Sequence, residues 1–292
     1  MNTKEKEKES VALFKQKKKK TIFGLLIKWI FLSFFLLYAV IPLLWLLMVS
    51  FKTHGEFLLH PLKFPDIWHF ENYPNAFIMA KMNILLLNSV IAAGFGTLLN
   101  ILVSTMGAFV IVRQKIKFSG AISNIIMVGV LIPLLAFMIP YLKISINTGL
   151  YNTRAILILT YASIQLPISF FIISSFMKNI PKSLEEAAII DGATDFQRFI
   201  KIIFPLTIPG IITAGTLCFI WSWNEFVYAM LLTSSTTVRT VQLGIRFFIS
   251  QFREDIPGMF AAITIAMLPS IIVYVFLQRR IISGLTAGAV KG

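Results

Sequence analysis

The chain has 292 residues, of which 57% are hydrophobic and only 14% are charged. A soluble domain carries about 25% charged residues, so this composition indicates a polytopic membrane protein. The net charge of +14 does not indicate a nucleic-acid partner, because nine of the 27 Lys and Arg residues fall within the first 28 positions and most others flank apolar runs.

The N-terminal third of the chain contains a tail, one membrane span and a loop. Residues 1–21 alternate in charge and have low complexity, which predicts a disordered basic tail. Residues 22–51 contain the first span, which we interpret as a retained anchor because its apolar run is too long for a cleavable signal. Residues 52–81 then form an external loop, and we expect a membrane core over residues 82–281.

Five further apolar runs lie in that core, and each is long enough for the roughly 20 residues that a helix needs to cross a bilayer. They cover residues 82–112, 118–142, 155–177, 202–238 and 256–278. The sequence therefore predicts an all-α polytopic membrane protein with six transmembrane helices, followed by a short C-terminal tail over residues 282–292.

The distribution of basic residues predicts the orientation of these spans. With the N-terminus in the cytoplasm, the inner segments hold 19 Lys and Arg residues and the outer segments hold 8. Basic residues concentrate on the cytoplasmic side of membrane proteins. We therefore expect a multi-pass membrane protein with both termini in the cytoplasm, in contact with membrane lipid.

A polar segment over residues 183–205 interrupts the apolar pattern between the fourth and fifth spans. Ser183 with Glu186 three positions later has the spacing of a capping box, which predicts a short helix over residues 184–191. Gly192 then offers a left-handed stop. The segment is therefore predicted to be a structured helical element on the cytoplasmic side.

A second helix is predicted directly after that glycine. Thr194 and Gln197 form another capping pair. The apolar residues that follow have the spacing of one helical face: Phe196, Phe199, Ile200 and Ile203. Such a segment either lies in the lipid interface or docks to a cytoplasmic protein, and its acidic residues favour docking, because interfacial helices are usually basic.

Several motifs resemble those of one transporter family. The run EAAIIDGA at 186–193 and the run IIFP at 202–205 resemble the EAA loop of ABC importer permeases, with Phe204 in the place of the usual leucine. Other stretches resemble the carbohydrate-uptake branch, in particular its maltose-type second permease subunit. These stretches are SFKTHGEF at 50–57, FPDIWHFENYPNAF at 64–77, WNEFVYAMLLT at 223–233 and GLTAGAVKG at 284–292.

The resemblance implies a permease that forms a heterodimer with a second permease subunit, above two cytoplasmic ATPase subunits, and receives solute from an extracellular solute-binding protein. The EAA loop would be a cytoplasmic coupling helix between spans 4 and 5, and its expected ATPase-coupling residues are Glu185, Glu186, Ala187, Ala188, Asp191, Gly192 and Ala193. The C-terminal tail would reach the ATPase interface through Gly288, Lys291 and Gly292. ATP and Mg²⁺ would bind to the partner ATPase.

The sequence offers no motif for catalysis in this chain. It has no phosphate-binding P-loop, no HExxH and no GxSxG, so we expect a transport subunit that is not an enzyme and binds no cofactor or metal itself. His54, His60 and His69 lack a zinc-site spacing. The single cysteine, Cys218, lies in an apolar run and is interpreted as a small packing residue.

Glu225 interrupts the fifth apolar run, and an ionisable residue at membrane depth is a functional candidate. It could contact a sugar or the binding protein, or it could serve as a structural partner of Asn224 or Gln165. Trp221 and Asn224 complete a candidate substrate path with Glu225, although Trp221 also fits an aromatic belt at the membrane interface.

Two rival classes are an ATP-independent secondary transporter or channel and a membrane-embedded enzyme. The first predicts charged groups in several spans, and the second predicts a cluster of catalytic side chains near one membrane face. Neither explains EAAIIDGA or the C-terminal motif. The sequence does not identify the solute.

Overall fold

The computed structural model describes residues 3–114, 116–251 and 255–289, and this part of the chain is helical without a β-strand. The described α-helices are α1 (Thr3–Val49), α2 (His54–Leu59), α3 (Asn72–Met79), α4 (Met82–Ala108), α5 (Ser119–Val128), α6 (Met138–Asn147), α7 (Arg154–Ile164), α8 (Leu166–Lys178), α9 (Lys182–Ile190), α10 (Asp195–Arg198), α11 (Phe204–Asn224), α12 (Val227–Leu232), α13 (Val241–Gln251) and α14 (Ile256–Ala289). Two π-helical turns extend α4 and precede α11, at Phe109–Arg113 and Phe199–Ile203, and a 3₁₀ turn occupies Leu134–Phe137.

Within the described residues, four helices are long and apolar enough to cross a membrane: Gly24–Val49, Met82–Arg113, Asp195–Asn224 and Ile256–Phe276. Helices α7 and α8 are long and apolar enough only as a pair, with a 47° bend between them, so they give a fifth crossing if the bent pair is one span. Pro167 follows this bend, at a position that a proline tolerates in the first turn of a helix. The structure is therefore an all-α membrane fold, as the sequence predicts.

The predicted third span, residues 118–142, is not one continuous helix. Helix α5 ends at Val128, and the chain forms turns before the 3₁₀ turn and α6 begin. Pro133 has an extended ψ of 127° and cannot donate a backbone hydrogen bond, which prevents one helix from running through this region. A sixth crossing consequently depends on two shorter apolar helices, so the six-span count stays a prediction.

Both chain ends are more helical than the sequence predicted. Residues 3–21 were expected to be disordered, yet they belong to the continuous helix α1. Glu and Lys are good helix formers, and extending an existing helix avoids the cost of nucleation. At the other end α14 continues to Ala289 and so includes Gly288, whereas Lys291 and Gly292 lie outside the described residues.

Helix α4 lies at the centre of the packed core, in contact with α7, α8 and α11. Its small residues allow close approach, since a Cβ on Gly96 would lie only 3.1 Å from the Cβ of Tyr161. Its polar residues bind across helices, and Asn100 donates to the Ala162 carbonyl at 2.7 Å. Cys218 on α11 is buried, as expected for a packing residue.

The loop between α1 and α4 is organised by buried polar contacts. The Lys52 side chain is fully buried and donates to the His60 carbonyl at 2.7 Å. Asn72 donates to the Ser50 and Lys52 carbonyls, both at 2.9 Å, and so joins the end of α1 to the start of α3. These contacts fix the first residues after the membrane anchor.

Two exposed carboxyl groups of this loop have neighbours that stabilise their charged form. A hydrogen bond from Lys63 at 2.7 Å lowers the pKa of Asp66, and the same contact raises the pKa of Lys63. A hydrogen bond with His69 lowers the pKa of Glu71. Both carboxylates consequently stay ionised to lower pH than a free side chain.

Candidate functional site

The polar segment forms two short helices joined by a glycine turn, as predicted. Gly192 has a φ of +77°, the left-handed conformation expected at a helix stop. The capping box between Thr194 and Gln197 is present, because the Thr194 hydroxyl accepts from the Gln197 amide while the Gln197 side chain accepts from the Thr194 amide. The turn and the second helix start therefore follow directly from the sequence.

The first predicted capping box, between Ser183 and Glu186, is wrong. Helix α9 begins at Lys182 after Pro181, and no side chain caps its N-terminus. Pro181 is extended with a ψ of 132° and occupies the N-cap position, so the helix starts two residues earlier than predicted. Ser183 is then already inside the helix, where its hydroxyl is not at the N-cap position.

The two adjacent glutamates of α9 differ in burial, because neighbouring helical residues lie about 100° apart around the axis. Glu186 is exposed, and Ile189 and Ile190 lie on the same helical face at the i+3 and i+4 positions with 53% and 86% of their surface exposed. We call these three residues the outer face of α9. It combines one carboxylate with two large apolar side chains that the described part of the chain leaves largely exposed.

Glu185 is buried on the inner side of α9, where only 8% of its side chain is exposed. It forms ion pairs with Arg113 at the end of the first π-helical turn and with Arg198 of α10. The sequence placed Glu185 with Glu186 as ATPase-contacting residues, but the structure turns Glu185 away from the outer face. Arg113 and Arg198 were not singled out from the sequence, because the residues next to them along the chain do not indicate which carboxylate they bind.

The apolar residues after the Thr194 cap do not form a single buried stripe. Phe199 and Ile203 are buried, whereas Phe196 and Ile200 are 72% and 44% exposed. The π-helical turn at residues 199–203 shifts the hydrogen bonding to i→i+5, so the 3.6-residue spacing no longer selects one face. Phe196 and Ile200 instead line an apolar groove of about 550 Å³ beside α4.

The second candidate site lies where α11 ends. Glu225 has an extended ψ of 130° and is 8% exposed. Its carboxylate accepts hydrogen bonds from the backbone amides of Tyr228 at 2.8 Å and Ala229 at 3.0 Å, and from the Tyr161 hydroxyl at 3.3 Å. Glu225 therefore caps the short helix α12, and its partners are neither Asn224 nor Gln165, the two partners considered from the sequence.

Trp221 and Asn224 border an open cavity of about 610 Å³ beside Glu225. Asn224 is exposed and donates to the Ile220 carbonyl, and the Trp221 ring packs edge-on against Tyr161 with 5.9 Å between ring centroids. The cavity wall is largely apolar and is formed by Leu134, Leu135, Leu217, Ile220, Trp221, Asn224, Glu225, Phe226, Val227 and Tyr228. The structure thus brings the three predicted substrate-path residues to one wall.

Comparison with known proteins assigns the family. Residues 100–286 match the binding-protein-dependent transport system inner membrane component family. The chain belongs to this family of ABC transporter permeases. It is accordingly a multi-pass membrane protein and a transport subunit, not an enzyme, as its relatives are named permease proteins.

Similar chains come from several bacteria. An ABC transporter permease protein of Caldicellulosiruptor sp. is 39% identical over 91% of this chain and 97% of its own. A diacetylchitobiose uptake system permease protein of Streptomyces coelicolor is 34% identical, covering 87% and 84%. A melibiose/raffinose/stachyose import permease protein of Bacillus subtilis is 31% identical, covering 86% and 91%. The chain thus belongs with the sugar ABC transporter permeases.

Solved structures support the same fold. A chain of a bacterial ABC transporter that imports the acidic polysaccharide alginate matches with a TM-score of 0.78 and 22% identity, over 88% of this chain and 96% of that chain. A chain from a structure of a bacterial alginate ABC transporter in complex with an alginate pentasaccharide-bound periplasmic protein matches with a TM-score of 0.64 and 18% identity, over 91% of this chain and 96% of that chain. At these identities the likeness concerns the fold.

Proposed function

We propose that this chain is the permease subunit of an ATP-driven importer that moves a carbohydrate, of oligosaccharide size, into a bacterial cell. Its partners would be a second permease subunit, two cytoplasmic ATPase subunits that bind ATP and Mg²⁺, and an extracellular solute-binding protein. The observation that carries the proposal is the outer face of α9. This face lies within the family's EAA motif, and its large apolar side chains are exposed.

The outer face of α9 suits a protein groove better than a lipid surface. Ile190 is 86% exposed and lies one turn from the carboxylate of Glu186. A carboxylate is repelled by anionic lipid headgroups, but it can form a charge-assisted hydrogen bond with an arginine in a protein pocket. We assign the ATPase contact to Glu186, Ala187, Ala188, Asp191 and Ala193, with Gly192 as the turn that shapes the contact and Glu185 as its internal anchor.

The orientation follows from this assignment together with the distribution of charge. Docking of α9 to a cytoplasmic ATPase requires the loop between α8 and α11 to be cytoplasmic, which agrees with the 19 basic residues on the inner side. Both termini then lie in the cytoplasm, and Gly288, Lys291 and Gly292 are proposed to reach the ATPase interface.

The cavity at Trp221 and Asn224 is the proposed substrate path. A tryptophan ring offers a flat apolar surface, and the Asn224 amide offers a donor and an acceptor, which together suit the faces and hydroxyls of a sugar. Glu225 would not need to contact the sugar, because its role would be to hold α12, which forms part of the cavity wall, in place. Relatives named for diacetylchitobiose and for melibiose, raffinose and stachyose support an oligosaccharide as the solute class.

The proposal is tested by the double variant Glu186→Lys with Gly192→Pro in reconstituted vesicles. Lysine reverses the charge of the outer face, and proline cannot adopt the φ of +77° that the turn requires. We expect uptake to be lost while the chain remains inserted in the membrane. Ser183→Lys is the matched control, since Ser183 is exposed in the same helix and caps nothing. Uptake at the wild-type rate in the double variant would refute the coupling assignment and favour an ATP-independent transporter.

A further inference from the structure

A buried ion network connects the inner side of α9 to two membrane helices. It consists of Arg113, Glu185 and Arg198, whose side chains are only 4%, 8% and 12% exposed, and of Asp195 at the exposed edge. Arg113 donates from Nε to Glu185 Oε1 at 2.6 Å, Arg198 Nη1 lies 3.5 Å from Glu185 Oε2, and Arg198 also pairs with Asp195. Two cations and two carboxylates make this network electrically neutral.

Arg113 occupies the centre of this arrangement. It is the last residue of the π-helical turn that ends the α4 span, and its Nη1 donates to the carbonyls of Met177 at 3.1 Å and Ile180 at 3.2 Å. These carbonyls lie at the end of α8 and in the turn before α9. One guanidinium group therefore joins the ends of α4 and α8 to the inner side of α9.

The two π-helical turns meet at the same place. Phe109 and Phe199 begin the two turns, both are buried, and their ring centroids are 5.0 Å apart. π-Helical turns within α-helices are rare and frequently occur at functional sites. The neighbouring Gln114 side chain also donates to Asp195 at 3.3 Å. The end of α4 and the start of the α11 span are thus fixed to each other and to α9.

We propose that Arg113 and Glu185 are positioning residues that make α9, the end of α4 and the start of α11 move as one body. This inference rests on the proposed ATPase docking at the outer face of α9. Separating Arg113 from Glu185 would remove the strongest ion pair of each side chain in a poorly solvated environment, which is unfavourable. A displacement of α9 by a partner would therefore carry both membrane helices with it, instead of bending the loop alone.

The test uses the whole transporter purified from its own cells and reconstituted with its binding protein and solute. The variants are Arg113→Gln, Glu185→Gln and the double variant, with Lys117→Gln as the control, because Lys117 is an exposed cation four residues from Arg113. Two quantities are measured: the amount of ATPase that co-purifies, and the ratio of solute-dependent to basal ATP hydrolysis, which reports coupling.

For Arg113→Gln we expect the ATPase to co-purify while the coupling ratio falls by roughly tenfold, within the usual range of coupling between linked sites. The double variant should be less impaired than either single variant, because it removes one charge of each sign and leaves the network electrically neutral. Wild-type coupling ratios in both single variants would overturn the proposal, as would losses that simply follow the amount of assembled complex. If the wild-type chain itself recovers no ATPase, the proposed function fails instead.

Discussion

Replacement of Gly192 by alanine tests how much the left-handed backbone conformation at this turn contributes to binding of the ATPase. The φ of +77° is unfavourable for any residue with a Cβ, whereas an added Cβ at this position would meet no atom within 4 Å. A steric collision with the described part of this chain is thereby excluded. What remains is the cost of the left-handed conformation, about 1–2 kcal/mol for an L-residue.

That cost corresponds to a loss of about 5- to 30-fold in an equilibrium that requires the turn. We expect Gly192→Ala to weaken binding of the purified ATPase subunit to the permease by this factor, measured by titration in detergent or nanodiscs. Gly192→Asn should lose less, because asparagine adopts the left-handed conformation more readily.

Gly149 provides a matched control for the same substitution. Its φ is +70°, and an added Cβ there would also meet open space, but it lies in the turn after α6. Gly149→Ala therefore carries the same local strain without involving the polar segment, and ATPase affinity should remain unchanged. Equal affinity of the Gly192→Ala variant and the wild-type protein would refute the requirement for a left-handed turn in the docked state.

Three further substitutions test the packing and capping described above. Gly210→Ala would place a Cβ 2.6 Å from the ring of Phe176, so we expect a loss of about 1–3 kcal/mol in the free energy of unfolding and a lower melting temperature, which Phe176→Leu should partly relieve. Glu225→Ala removes the acceptor for two backbone amides of α12 and should lower the local stability of this helix by about 1–2 kcal/mol. The loss should appear as faster hydrogen exchange at the Tyr228 amide, and unchanged exchange would contradict the cap. Thr194→Ala should cost about 1 kcal/mol of local stability, whereas Thr194→Ser should keep most of it, and equal exchange rates in the two variants would argue against the capping box.

Local turn chemistry explains which parts of the polar segment were predictable from sequence. Gly192 and the Thr194–Gln197 pair depend only on residues within one helical turn, so their spacing sufficed. The Ser183 cap failed because the helix starts after Pro181, two residues earlier than predicted. The different burial of Glu185 and Glu186 could not be predicted, since the side that is buried depends on Arg113, 72 residues away.

For the membrane spans too, the sequence predicted what depends on composition and missed what depends on packing. Apolar length was enough to predict the spans of α1, α4, α11 and α14. It did not predict the break after α5, because a few proline and turn residues change the mean hydropathy of a long apolar segment only slightly. At Glu225 the sequence indicated an unusual buried carboxylate, but the α12 cap that satisfies it became visible only once the end of α11 was placed.

The central claim is that this permease works with an ATPase, and the most direct test is gentle purification of the tagged chain from its own cells. Mass spectrometry of the co-purifying proteins identifies the partners. The account predicts recovery of a second multi-span permease together with an ATPase subunit. Recovery of this chain alone, repeated under milder detergent conditions and with ATP present, would contradict it and would require the outer face of α9 to be reinterpreted as a lipid-facing surface.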